Sequence, residues 1–344
     1  MLHGAGNRGS LKDAGLCRFY FVNFSLNNRY KIVKIFYILF LFWYILEKEI
    51  GGSSPVQTLN RTFTEKKEFI NKFVSSPSEN MHRIEIMLFK IFEEEINAKE
   101  PVLISYSASA VHKAAKFITG VIERSASIGI AGETASGKST ITLDVIDTIQ
   151  EFAHKCGKHG VVTRLNTDDY YYDRSREVKE AGGMAEFAKN YDFDTPDALE
   201  LDLMHKHILE LLSGKSVMLP KYDMSGTAVR TDNAVQASPS KIIISEGLFT
   251  LTDKVKDAFD FKIYVDIDRN LQKKRFFARA HERGLGSAAE TMYSNASNKA
   301  EIHIRGCRHI ADAVLSGQAP RKNYKIFINK ILSAVMAARF SDRI

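Results

Sequence analysis

Two rhythms of apolar residues alternate along the second half of this chain. Short β-branched runs predict buried strands at Ser127-Ile128-Gly129-Ile130-Ala131, Val161-Val162-Thr163-Arg164-Leu165, Lys241-Ile242-Ile243-Ile244-Ser245-Glu246-Gly247 and Phe261-Lys262-Ile263-Tyr264-Val265-Asp266-Ile267-Asp268, with a last strand over 310–315. Between them the period changes to helical. Ile141, Val145, Ile149 and Phe152 recur at spacings of four, four and three, and Gly157 closes that helix. Further helices are predicted over 199–212, closed by Gly214, over the basic stretch 270–283, and over 324–340. Met218 to Met224 and Thr227 to Ala237 read as two arms of a hairpin around Ser225-Gly226. Strands alternating with helices predict an α/β fold, a parallel sheet with helices on both faces.

Upstream the pattern differs. Residues 64–99 predict two helices broken at Ser75-Ser76-Pro77-Ser78, and 108–124 a third, so a helical lead-in over 61–125 precedes a main domain over 126–344. Residues 1–60 form an N-terminal extension holding an apolar run of twelve residues, Ile35 to Leu46. That run is short of the roughly 20 residues needed to span a bilayer. It has a basic flank, but no small-x-small cleavage site follows it. Three readings stand: a membrane-surface anchor, a helix packed on the domain, or a stretch upstream of the true start. The bias toward Phe, Ile, Tyr, Asn and Lys, residues of AT-rich codons, favours the last. Gly51-Gly52-Ser53-Ser54-Pro55 then reads as a linker.

The junction of the first of these strands with its helix carries the most specific chemistry. Gly132-Glu133-Thr134-Ala135-Ser136-Gly137-Lys138-Ser139-Thr140 has the G-x-x-x-x-G-K-S spacing of a P-loop, between a strand and a helix as that motif demands. Gly132 and Gly137 allow successive N–H groups to turn onto a phosphate, Lys138 reaches the terminal phosphates, and the Ser139 hydroxyl suits a Mg²⁺ ligand. The phosphate then sits at a helix N-terminus, where dipole and unpaired N–H groups favour an anion. Beyond the second strand, Asp168, Asp169 and Asp173 stand where acidic residues of a parallel sheet face the ligand crevice.

Composition narrows the partners. The net charge is +7, but the first fifty residues supply +4 of it, leaving too little excess to argue for nucleic acid. Three widely spaced cysteines, Cys17, Cys156 and Cys307, form no metal or disulfide pattern and suit a reducing cytosol. The expected location is cytoplasmic, with a membrane role disfavoured and homo-oligomerisation open.

Seven segments in order resemble the uridine kinase and phosphoribulokinase family of P-loop small-molecule kinases: GETASGKS at 132–139, TDDYYYD at 167–173, NYDFDTPDAL at 190–199, PKYDMSG at 220–226, IIISEGLF at 242–249, KIYVDID at 262–268 and ERG at 282–284. The resemblance covers somewhat over half the chain, about residues 127–317. It implies a P-loop nucleoside-triphosphate-hydrolase fold with a five-stranded parallel core, a hairpin and a lid over the acceptor site. It also implies ATP-dependent transfer of the γ-phosphate to a hydroxyl of a small, nucleoside-like acceptor such as uridine or cytidine.

Residue by residue, the resemblance makes Asp168 the general base and a Mg²⁺ partner, and Asp194, beside Phe193, the holder of the acceptor's sugar hydroxyls. Tyr171 and Tyr222 match aromatic positions lining that pocket. Glu246, at the tip of a buried strand, fits a Walker-B-like Mg²⁺ acid, because an unpaired carboxylate there is costly and a cation is a natural partner. Arg275, Arg279 and Arg283 share one basic helical stretch, with Arg275 expected at the acceptor and Arg283 at the triphosphate. Three positions depart from the pattern: Thr227 replaces a base-reading histidine, and Ala278 and Leu285 replace arginines. The competing readings are a kinase of a sugar phosphate or pantothenate-type acceptor, a nucleotide-binding regulatory protein with a degenerate acceptor site, and a nucleic-acid-dependent ATPase.

Overall fold

Ile242, Ile243 and Ile244 follow one another on a single strand, so their side chains point to alternate faces, and all three are buried. A strand covered on both faces requires a helical layer on each side, and that is the architecture. The computed structural model describes residues 77–341 apart from 225, 226, 285 and 287. The apolar run at 35–46, the linker at 51–55, the first lead-in helix, the Ser225-Gly226 turn and Leu285 lie outside the described residues.

In chain order the elements are α1 (Pro77–Ile96), β1 (Leu103–Tyr106), α2 (Ala110–Glu123), β2 (Ala126–Gly132), α3 (Lys138–Lys155), β3 (Val162–Asn166), α4 (Ser175–Glu180), α5 (Met184–Phe187), α6 (Leu201–Leu212), β4 (Val217–Tyr222), β5 (Arg230–Ala237), β6 (Ile242–Gly247), β7 (Phe261–Asp266), α7 (Arg269–Glu282), α8 (Ala288–His303), α9 (Cys307–Ile310), β8 (Ala313–Ser316) and α10 (Arg321–Ser341). The main sheet runs β1-β8-β7-β2-β6-β3. Its five strands from β8 to β3 are parallel, as expected. A sixth, β1, pairs antiparallel with β8 and lies in the gap between the expected helices over 64–99 and 108–124, where no strand is expected. Four residues are too few to display a period of two, which is why the pattern hides it. The strands β4 and β5 form the expected antiparallel hairpin, separate from the main sheet.

One face of the sheet, with Ile128, Ile130, Ile242 and Ile244, packs on α1, α2, α3 and α10 through residues such as Leu88, Ile118, Val145 and Phe327. The other face, with Leu165, Ile243, Tyr264 and Val314, packs on α6 through Met204, Ile208 and Leu211. The carboxyl ends of β2, β3 and β6 therefore open on one edge of the sandwich, where an open α/β sheet binds its ligand. No helix among the described residues is long and apolar enough to cross a membrane.

The turn after β8 brings Gly317 against the loop that follows β2. A Cβ there would collide with the Ser136 carbonyl and stand 3.0 Å from the Asp266 carbonyl, both of them backbone atoms. Gly317→Ala is expected to lower stability by about 1–3 kcal/mol, the usual effect of overpacking a closed contact. Urea denaturation checks it, and a variant as stable as the parent would show that the two loops are not held in contact.

Candidate functional site

The chain leaves β2 at Gly132 and turns through Ala135, φ +57°, and Gly137, φ +95°, before α3 begins at Lys138. Left-handed backbone is strained for an alanine and easy for a glycine. Such a turn aims consecutive N–H groups at one point, and the 18-residue helix behind it adds its dipole. The loop is braced from within, where Ser136 N–H donates to the Glu133 carbonyl at 3.2 Å, and from outside, where Gln272 of α7 donates to the Thr134 carbonyl at 3.0 Å.

In front of the loop lies a cavity of about 800 Å³. Lys138, Ser139 and Thr134 of the loop line one end, with Asp168 from the turn after β3 and Arg279 and Arg283 from the lid region. Tyr171, Phe193, Asp194 and Tyr222 line the other end, as the sequence reading requires. Tyr191, Met184, Asp223 and, from α8, Met292, Asn295 and Lys299 line it too. The helix α8 escaped the sequence reading because its residues are mostly Ala, Ser, Asn and charged, with no apolar stripe of helical period. Only its alanine content pointed to a helix.

The aromatic end is a packed cluster. Tyr171 and Tyr222 have ring centroids 5.1 Å apart, Tyr191 and Phe193 4.7 Å apart edge to face, and Phe187 stacks on Tyr191 at 4.9 Å. The Tyr171 hydroxyl donates to the Phe193 carbonyl at 3.1 Å, which ties the turn after β3 to the NYDF segment. The lysines of this end are paired: Lys299 with Asp192, and Lys189 with Glu186.

The phosphate-loop end is electrostatically tense. Burial pulls the Lys138 ammonium below its ordinary value, against the attraction of Asp168 and Glu246, and Arg279 adds to the lowering. Arg279 is lowered by burial and by Arg283, and Asp168 opposes both. Burial pushes Asp168 above the usual carboxylate range in spite of Lys138. Crowded cations with partial burial form a site that an anion relieves.

The adjacent acids Asp168 and Asp169 are separated by the short 3-10 turn Thr167–Tyr170. Asp169 turns inward to Lys221 Nζ at 2.7 Å and to the Tyr222 N–H at 3.4 Å, where it anchors the hairpin. Asp173 accepts from Ser175 and from the Arg230 N–H. Of the three, Asp168 alone lines the cavity.

Three expectations need correction. Glu246 is buried, but its partner is not only a prospective cation: Arg164 of β3 reaches one oxygen at 2.5 Å and the Ser139 hydroxyl donates to the other at 3.0 Å. Arg164 sits two residues before Asn166, the residue in register with Glu246, so its side chain lies on the same face of the sheet. In sequence it reads only as part of the strand over 161–165, with no role of its own. Arg275 does not line the cavity; it donates to the Gly317 carbonyl at 2.8 Å, one helical turn away from Arg279. Glu133 keeps its place in the loop, but its carboxylate faces Arg305 rather than the cavity. Of the departures from the family pattern, Ala278 is exposed, and Arg279, one position along, donates to Thr134 Oγ1 at 2.8 Å. Thr227 donates to Asp223 at 2.9 Å.

Comparison with known proteins adds an independent finding. The model of the phosphoribulokinase / uridine kinase family matches residues 127–317. A uridine kinase of Halobacterium salinarum is 32% identical over 192 residues, 55% of this chain and 78% of that protein. A uridine kinase of Staphylococcus aureus is 35% identical over 213 residues, 60% of this chain and 96% of that protein. A solved structure described as a possible uridine kinase from Bacillus stearothermophilus overlays with a TM-score of 0.36 at 18% identity, over 59% of this chain and 96% of that one.

Proposed function

The chain belongs to the phosphoribulokinase / uridine kinase family of small-molecule kinases, and from that premise we propose that it moves the γ-phosphate of ATP to a hydroxyl of an uncharged, nucleoside-like acceptor in the cytosol. One observation carries this reading: a single cavity joins the phosphate loop to an aromatic wall, with Asp168 among its lining residues. Phosphoryl transfer needs charge neutralised on the nucleotide, a hydroxyl held in line and a place for its proton. Lys138, Arg279 and Arg283 supply the first, Tyr171, Phe193, Tyr222 and Asp194 the second, and Asp168 the third.

The donor set fits Mg²⁺. Ser139, Glu246 and Asp168 offer hard oxygen ligands beside the phosphate loop. When bound, the ion would be held by Ser139, Glu246 and Asp168 and would neutralise charge that develops on the phosphate.

Charge pairing supports an uncharged acceptor. Lys299 and Lys189 are already matched by Asp192 and Glu186, so the aromatic end offers little attraction for a second phosphate. Its stacked rings suit a planar base, and Asp194 suits sugar hydroxyls. Incubation of the purified chain with ATP, Mg²⁺ and a panel of uridine, cytidine, other nucleosides, sugar phosphates and pantothenate tests the reading. Phosphorylation of a pyrimidine nucleoside is expected; ATP binding with no acceptor phosphorylated would sink it in favour of a regulatory nucleotide-binding protein.

Asp194 acts in this reading by holding. Burial raises it above the usual carboxylate range, Asp192 adds to this and Lys299 opposes it, so a hydrogen-bonding acceptor relieves a strained charge. Asp194→Asn is expected to raise the acceptor KM about ten- to a hundredfold, the loss of one charge-assisted hydrogen bond of about 1.5–3 kcal/mol. ATP affinity stays unchanged. Steady-state kinetics with the best acceptor checks this, and an unaltered KM would shift the role to Asp192.

A further inference from the structure

The phosphate loop carries an acid of its own. Glu133 follows Gly132 directly, so a carboxylate belongs to the loop whose N–H groups and lysine are set to receive a polyphosphate. An uncompensated negative charge there would repel the ligand. The carboxylate is only 13% exposed and is held in a two-pronged contact: Arg305 Nε donates to one oxygen at 2.8 Å and Arg305 Nη2 to the other at 3.0 Å. This is the fork geometry that arginine makes with a carboxylate and lysine cannot. Arg305, 17% exposed, is fixed in turn by Glu301 and by Ser297 Oγ at 3.2 Å. The buried Gln272 side chain adds a third donor to Glu133 at 3.3 Å, and Tyr293 donates to Gln272 at 3.3 Å. Neither Glu133 nor Arg305 lines the cavity.

We propose that Arg305 is a positioning residue that masks the Glu133 carboxylate, drawing it back from the phosphate site so that the loop can accept a triphosphate. The pair also joins the loop to the segment that follows α8, while Gln272 joins the same acid to α7. The proposal rests on the ATP-binding reading of the loop given above. It differs from a plain structural staple in one respect: the effect of losing Arg305 depends on whether Glu133 is charged.

The test is the ATP dissociation constant of the full chain in Mg²⁺, measured by titration calorimetry, for the unaltered protein, Arg305→Gln, Glu133→Gln and the double variant. Arg305→Gln is expected to weaken ATP on the order of tenfold, and more at low ionic strength, because a repulsion has been uncovered. The double variant is expected to return to within about threefold of the unaltered chain, since neutralising both partners leaves nothing to mask. Glu133→Gln alone is expected to tighten ATP a few-fold, and Arg305→Lys to retain most of the affinity by keeping the charge. A double variant that binds ATP as weakly as Arg305→Gln overturns the proposal, because a lost staple is not repaired by losing its other half. So does an Arg305→Gln variant with unchanged affinity. Should Arg305→Gln fail to fold, Glu133→Gln decides: tighter ATP supports masking and weaker ATP overturns it. An unaltered chain that binds no ATP overturns the nucleotide reading and this proposal together.

Discussion

Asp168→Asn is expected to cut turnover about a hundred- to ten-thousand-fold, the range for loss of a general base, with little change in acceptor affinity. The neighbouring Asp169 gives the control. Its carboxylate is consumed by Lys221 and the Tyr222 N–H, so Asp169→Asn should loosen the hairpin and lower stability without a specific loss of proton transfer. Steady-state kinetics and thermal denaturation of both variants separate the two roles. Intact turnover in Asp168→Asn would remove it as base.

The environment of Asp168 sets two pH dependences. Burial, the leading cause, raises its folded-state pKa, with Lys138 opposing. The acid limb of turnover should therefore lie above the value near 4 of an ordinary aspartate, with activity lost as pH falls through the raised pKa. Stability runs the other way. A carboxyl whose folded pKa exceeds its unfolded one binds its proton more tightly when folded, so its ionised form costs stability at pH above both values, and the cost fades as pH falls through the folded pKa and then the unfolded one. Asp168→Asn should thus be more stable than the parent at neutral pH and lose that advantage in acid. Thermal midpoints across pH 3 to 8 test this range, and a variant less stable at neutral pH would mean that Lys138 holds the carboxylate more strongly than burial opposes it.

How far the sequence led can be judged from single residues. The loop at 132–139 was legible because its glycines, lysine and serine must keep fixed spacing between a strand and a helix, and β2 and α3 begin and end close to the expected positions. The parallel order of strands followed from β-branched runs that are buried on both faces. What stayed hidden depends on partners remote in the chain. Arg164 reads only as one residue of a strand until β3 lies beside β6 and its guanidinium meets Glu246. Arg305 is one arginine among many until the end of α8 brings it to Glu133, 172 positions earlier. The helix α8 has no apolar stripe because its cavity side must be partly polar, with Asn295 and Lys299. The strand β1 is an edge strand of four residues, specified by pairing with β8 rather than by its own pattern. Asp168 and Asp169 are told apart in sequence only by the resemblance, since the turn that sends them in different directions is a matter of backbone geometry.

Lys138→Ala is expected to lower turnover by about two to three powers of ten, the usual loss when one donor to developing charge is removed from a preorganised site. The chain should still fold. Lys138 opens α3, and burial is the leading influence on its ammonium, holding its folded pKa below the unfolded one. A lysine shifted in that direction costs stability while it is charged, below both values, so its removal does not by itself unfold the protein. The side chain also acts on its neighbours, being the leading influence that holds the Asp168 pKa down. Without Lys138, Asp168 should ionise at still higher pH, and the acid limb of whatever turnover remains should move upward from that of the parent. Lys138→Arg separates charge from geometry, since a planar guanidinium keeps the charge but cannot reach as a point donor. It should leave the acid limb nearly in place while turnover stays low. Measuring kcat across pH for the parent and both variants reads these effects in one experiment. A folded Lys138→Ala enzyme with full activity would remove the lysine from catalysis, and an acid limb that does not move would show that Lys138 and Asp168 do not share one electrostatic site.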